Sequence, residues 1–126
     1  MASKHLQWLT RDMIPGPYFC LCTSQQQFDR VMRKFKVPSR DYLNSGADAT
    51  CHHMNNDLNE LVCVVCIRPV PLDPVSVCAL LVHEAVHVFQ EWCLTRGEHA
   101  PSREFEAHSI QSISQHLMTA YREQVI

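Results

Sequence analysis

The run Leu61-Val62-Cys63-Val64-Val65-Cys66-Ile67 limits the fold more than any other feature of the chain. It is apolar at every position and rich in β-branched side chains, so it reads as a strand with both faces turned away from water. Such a strand belongs in the middle of a sheet, with other elements packed above and below it. Ala49-Thr50-Cys51-His52-His53-Met54 precedes it across the polar turn Asn55-Asn56-Asp57, and the two form a hairpin. Pro17-Tyr18-Phe19-Cys20-Leu21-Cys22, short, apolar and aromatic, supplies a third strand.

The cover comes from three helices. Ser24, followed by Gln27, has the pattern of a helix start, and Phe28, Val31, Met32 and Phe35 then recur at helical spacing through Lys36, where Pro38 stops the run. Ser39 to Gly46 is loop-like. Pro69, Pro71 and Pro74 mark the exit from the central strand, and Asp73-Pro74 starts a second helix: a side-chain cap, then a residue whose missing N–H is harmless there. Gly97 is placed to close it after Thr95 or Arg96. Glu98 to Ser102 connects to a last helix from about Arg103 to Arg122, with Ile110, Ile113, Leu117, Ala120 and Tyr121 on one stripe. The expected fold is α+β: one minimal domain over residues 1–126, a small three-stranded sheet packed with an early amphipathic helix, a site-bearing helix and a C-terminal helix.

With 126 residues, 46% hydrophobic and 19% charged, the chain has the makings of one core and no room for a second. A net charge of -2 without a block of one sign argues against nucleic-acid or membrane-surface partners, and the cluster Arg30, Arg33, Lys34, Lys36 reads as a solvated helix face. The most apolar stretch, Cys78 to Phe89, is broken by His83, Glu84 and His87, and the N-terminus lacks the apolar region of a secretory signal. A soluble, cytoplasmic protein is expected. Seven cysteines, an odd number falling largely in apolar segments (Cys20, Cys22, Cys63, Cys66, Cys78), fit reduced thiols acting as small buried hydrophobes.

The chemistry-bearing feature is His83-Glu84-Ala85-Val86-His87. On a helix the two histidines share a face one turn apart, close enough to bind one metal ion, with Glu84 beside them. Zinc held by two imidazoles and a carboxylate keeps an open position for water, and Glu84 is the expected general base. The alternative is ordinary half-buried histidines beside a surface glutamate, but the apolar neighbours Leu80, Leu81, Val82, Ala85, Val86 and Phe89 make three polar side chains costly without a partner. A third ligand has to come from Glu104, Glu106, His108 or His99. At about 100° per residue Glu106 falls within roughly 20° of the last helix's apolar stripe, whereas Glu104 points away, so Glu106 is favoured.

Leu81-Val82-His83-Glu84-Ala85-Val86-His87-Val88-Phe89-Gln90, followed by Glu104-Phe105-Glu106-Ala107-His108, resembles small zinc metallopeptidases of phages and bacteria and, more distantly, the gluzincins. In gluzincins a glutamate followed by alanine on the next helix is the third ligand, and Glu106-Ala107 fits. The resemblance covers about the C-terminal half. It implies His83, His87 and Glu106 as zinc ligands, Glu84 as general base, and a peptide or protein substrate. The aspartate that supports a zinc-bound histidine in gluzincins has no obvious match, since Ile110 stands at the nearest comparable place.

His99, His108, Arg103 and Tyr121 are the candidates for stabilising an oxyanion, with His108 preferred. His52 and His53, adjacent on a strand, face opposite ways, so at most one of them lines a cleft. Cys63 and Cys66 likewise point to opposite faces, which discounts them as a zinc pair, and Cys20 and Cys22 share a face as core residues. A zinc-stabilised binding or regulatory protein, its site closed by a fourth ligand such as His99 or His108, is the competing function. A helical interaction module without metal is a third.

Overall fold

The computed structural model describes residues 6–9, 16–38, 40–69 and 73–125. Ser39 and Pro71, read above as loop and strand exit, lie outside them. In chain order the elements are β1 (Tyr18–Cys22), α1 (Gln25–Lys34), β2 (Ala49–Asn55), β3 (Leu61–Ile67), α2 (Pro74–Arg96) and α3 (Arg103–Val125). The fold is α+β with a mixed three-stranded sheet in the order β1-β3-β2. β3 is the middle strand, parallel to β1 (Tyr18↔Val62 through Cys22↔Cys66) and antiparallel to β2 (Ala49↔Ile67 through Asn55↔Leu61).

Alternation along β3 divides the interior in two. Cys63, Val65 and Ile67 face α2 and α3, meeting Phe19, Leu21, Leu81, Ala85, Val88 and Leu117. Val62, Val64 and Cys66 face α1, meeting Cys20, Cys22, Phe28, Val31 and Met32. Cys63 and Cys66 thus belong to opposite faces, and all seven cysteines are reduced. Cys78 departs from expectation: it is exposed, because the first turns of α2 present that side away from the sheet.

The helix ends follow from local chemistry. Ser24 Oγ accepts from the Gln27 N–H at the start of α1, and the Asp73 carboxylate accepts from the Val75 and Ser76 N–H groups at the start of α2. Gly97, at φ 70°, closes α2 in the left-handed conformation. α1 stops at Lys34, short of the expected Lys36, because Lys36 itself takes φ 55° and the Lys36 and Val37 N–H groups turn back to the Arg33 and Met32 carbonyls. Pro38 is therefore not what ends it. α3 continues past Arg122 to Val125.

β2 is an edge strand, and its hydrogen-bond phase is set at both ends. The Arg68 N–H donates to the Asp48 carbonyl (2.8 Å) and the Asn56 N–H to the Glu60 carbonyl (3.0 Å), so the even-numbered residues of β2 bond to β3. Ala49, Cys51, His53 and Asn55 consequently aim their N–H and C=O groups at an edge that no other strand covers among the described residues, while their side chains stand on the α2 side. The far edge of the sheet, at β1, carries an antiparallel bridge between Trp8 and Cys20.

α2 is long and apolar enough (mean hydropathy 1.2 over an 18-residue window) to cross a membrane by length and composition alone. Its apolar content here serves the core: Val77, Leu81, Ala85, Val88, Phe89 and Trp92 are buried.

Candidate metal centre

Successive residues on α2 turn by about 100°, so the strip that packs on the sheet, Leu81-Ala85-Val88-Trp92, lies well round the helix from His83 and His87. Both histidines are exposed, not embedded among apolar neighbours as the sequence implied; Val82, one of those neighbours, is 39% exposed too. Glu84 sits between the two strips and is buried, at 3% exposure.

The imidazoles meet edge to face, with Nε2 of His83 and Nε2 of His87 3.2 Å apart. Two nitrogens bound to one tetrahedral zinc at the usual distances lie about 3.3 Å apart, so this spacing fits a shared metal ion. Without metal, the same spacing suits one ring donating its N–H to the other. The tautomer of His87 is fixed from behind: its Nδ1–H donates to Gln90 Oε1 (3.1 Å), leaving Nε2 with a lone pair toward His83. Gln90 was not among the residues singled out from sequence, although its place one turn beyond His87 was signal enough.

Oε1 of Glu84 is buried without a hydrogen-bond partner. Burial raises the pKa of this carboxyl above its ordinary value, and the nearby His83 and His87 pull partly against that. A buried acceptor left without a partner is uncommon in folded proteins and concentrates at working sites.

The residues expected from α3 lie apart from this turn. Glu106 keeps its place on the inward stripe by angle but is exposed; in this first part of α3 the packing against α2 is made by Phe105, whose ring meets Phe89 and Trp92 (5.8 and 5.6 Å between centroids). The Glu106 carboxylate is near enough to raise the pKa of Cys93, a half-buried residue almost two turns beyond His87. Among the described residues no three His, Cys, Asp or Glu side chains come together as a metal-binding set. The histidine pair therefore fits a metal as two ligands, and Glu106 is not gathered with it. His108 pairs with Glu104 along the exposed side of α3 (3.2 Å, side chains 74% and 87% exposed). Glu104, His99 and Arg103 are exposed, and Tyr121 is half-buried.

His52 and His53 do face opposite ways. His52 is buried on the α1 side, where its Nε2–H donates to the Tyr42 carbonyl (2.9 Å) and its ring lies against Phe28. His53 stands on the α2 side with Nδ1 3.3 Å from Glu91 Oε1. Asn55, Asn59 and Glu60 then share a cleft of about 330 Å³ with Trp92 and Arg96 of α2. These two links put β2 and α2 in step: one helical turn back from Glu91 is His87, and two strand residues back from His53 is Cys51, similar distances along each element.

Comparison with protein-family models, curated proteins and solved structures finds no match for this chain.

Proposed function

We propose that the chain is a zinc-dependent hydrolase, and within that class a peptidase acting on peptide bonds. The observation that carries this reading is the pair of imidazole Nε2 atoms 3.2 Å apart, beside a buried carboxyl with no partner. His83 and His87 hold the metal. Glu106 is proposed as the third ligand, which requires its carboxylate to move toward the histidines; among the described residues no hydrogen bond or ion pair holds its side chain. Zinc in this position supplies Lewis acidity and brings the pKa of a water down to about 7.

The protein's own groups account for the rest. Gln90 keeps the Nδ1 proton on His87 so that Nε2 remains a ligand. Glu84 accepts a proton at Oε1 from the attacking water and passes it to the leaving amine; a carboxyl with its pKa raised by burial is better matched to that exchange near neutral pH than an exposed one. The open edge at Ala49, Cys51, His53 and Asn55 offers backbone pairing to an extended peptide, whose side chains reach toward the Trp92–Arg96 cleft.

The test is zinc stoichiometry by mass spectrometry on the purified chain, with His87→Ala and Glu106→Ala beside it, followed by hydrolysis of a quenched-fluorescence peptide library. Near-stoichiometric zinc, lost in His87→Ala and weakened in Glu106→Ala, with cleavage abolished in Glu84→Gln, is the expected result. No zinc after loading overturns the reading. Zinc bound without cleavage of any library member supports the non-catalytic, zinc-stabilised alternative instead.

A further inference from the structure

The α1 face of the sheet, opposite α2, carries a cavity that shares no residue with the candidate metal centre. It encloses about 380 Å³ and is lined, among the described residues, by Trp8, Tyr18, Lys34, Phe35, Asn56 and Val62. Tyr18 and Val62 are register partners near the start of β1 and β3, and their side chains fall on the α1 side with those of Cys20 and Val64. Lys34 and Phe35 stand at the end of α1, just before the left-handed turn at Lys36. Trp8 joins them through its bridge to Cys20, and its ring meets Phe35 edge to face at 5.9 Å.

Lys34 is the one charged side chain of this lining. Its Nζ lies over the Trp8 and Phe35 rings, 5.2 and 5.6 Å from their centroids, and among the described residues no carboxylate pairs with it. The helix dipole favours a lysine in the last turn wherever its side chain points, so it accounts for the residue and not for an ammonium held on the aromatic wall. Arg30, four residues earlier and exposed on the same side of α1, adds positive charge nearby. Asn56 supplies nothing to offset it: its amide is committed to the turn between β2 and β3, accepting from the Leu58 and Glu60 N–H groups and donating to Glu60 Oε1. Glu60 itself lines the cleft with Arg96.

We propose that this cavity binds a small carboxylate bearing one aromatic ring system, with the ring among Tyr18, Phe35 and Val62 and the carboxylate on the Lys34 ammonium. Each part of the ligand answers a part of the wall. A volume near the lower end of the range for small-molecule sites, about 300–1,000 Å³, admits a single ring system with a short arm. Aromatic side chains around it favour a ring that packs offset or edge to face. An ammonium without a carboxylate partner selects an anion, through a charge-assisted hydrogen bond. An organic cation, the other group that aromatic walls attract, would meet the Lys34 charge on the same two rings with no acid to offset it. The site goes beyond the hydrolase reading and does not depend on zinc.

The experiment is calorimetric titration of the full chain with indole-3-acetate and with indole-3-acetamide, its neutral counterpart of nearly the same shape. The acid should bind one to one with a Kd below about 1 mM, and the amide about 5-fold more weakly, the upper range for an ion pair at a partly exposed lysine. Lys34→Gln, at an exposed position where folding is not at stake, should erase that preference and leave amide affinity unchanged. Added NaCl should weaken the acid and spare the amide. Backbone amide resonances that shift on adding the acid should gather at Tyr18, Val62 and the end of α1. Equal affinity for acid and amide, a preference that survives in Lys34→Gln, shifts gathered along α2 instead, or no binding of the acid at millimolar concentration overturns the proposal, and none of these outcomes bears on the zinc reading.

Discussion

The two faces of the sheet treat buried polar groups in opposite ways. On the α1 side, among the described residues, the buried polar groups have partners: the Tyr42 hydroxyl lies between the Ile67 and Cys22 carbonyls (2.6 and 2.9 Å), Thr50 Oγ1 accepts from the Asn44 N–H, and His52 donates to the Tyr42 carbonyl. At the end of the sheet, between α1 and α3, Gln27, Thr23 and Gln124 form a closed set that also reaches the Leu21 carbonyl. On the α2 side, Glu84 Oε1 and Ser114 Oγ are buried without partners. Satisfied groups stabilise a fold and fix one packing, whereas an unsatisfied carboxyl opposes folding and persists where something outside the resting fold has use for it.

The largest expected effect tests that contrast directly. Glu84→Gln should lower kcat/KM for peptide cleavage by about 10²- to 10⁴-fold, the range for loss of a general base. Glu84→Leu should meanwhile raise the denaturant midpoint, since an apolar side chain suits the position; a lower midpoint would place Glu84 with the structural polar groups of the other face. Tyr42→Phe should do the reverse, destabilising by about 1–3 kcal/mol through loss of the one buried O–H shared between the Ile67 and Cys22 carbonyls, with zinc binding untouched. Gln90→Leu should weaken zinc by about 10- to 100-fold in a competition titration with little change in stability, because Gln90 acts only through the His87 ring.

The smallest effect is a pH dependence on the α1 side. Burial lowers the pKa of His52 below its ordinary 6.5, opposed by its bond to the Tyr42 carbonyl. The unfolded chain takes up that proton first as pH falls, so the stability contributed by neutral His52 is complete above about pH 6.5 and is lost progressively below it. Denaturant midpoints across that range should show a limb that flattens in His52→Gln. An unchanged limb would assign it to other groups.

The fold was largely legible because its determinants are local or periodic. The unbroken apolar run of β3 announced a central strand, Asp73-Pro74 and Gly97 marked the limits of α2, and alternation separated Cys63 from Cys66 and His52 from His53. The end of α1 was misread because Lys36 adopts a left-handed turn that sequence assigns to glycine. At the site, the helical spacing of His83 and His87 was readable, but their exposure was not, since a strongly apolar helix leaves uncertain which of its sides meets the sheet. Glu106 has the expected angle yet stays exposed, beside a Phe105 that packs on Phe89 and Trp92: periodicity reports direction around a helix and says nothing about how far a neighbouring element reaches over it. His53–Glu91 depends on how a strand and a helix align, which no pattern within either segment encodes.

The ties of Gln124 bear on how such a chain is made. Its side chain bonds to Thr23 and to the Leu21 carbonyl, 101 and 103 residues earlier. On a ribosome, the β1 end of the sheet therefore waits for Gln124 to emerge before this buried cluster can close. Until then α1 and β1 lack their last polar partner, and a nascent chain paused before Gln124 is exposed to chaperones and proteases in a way the finished protein is not.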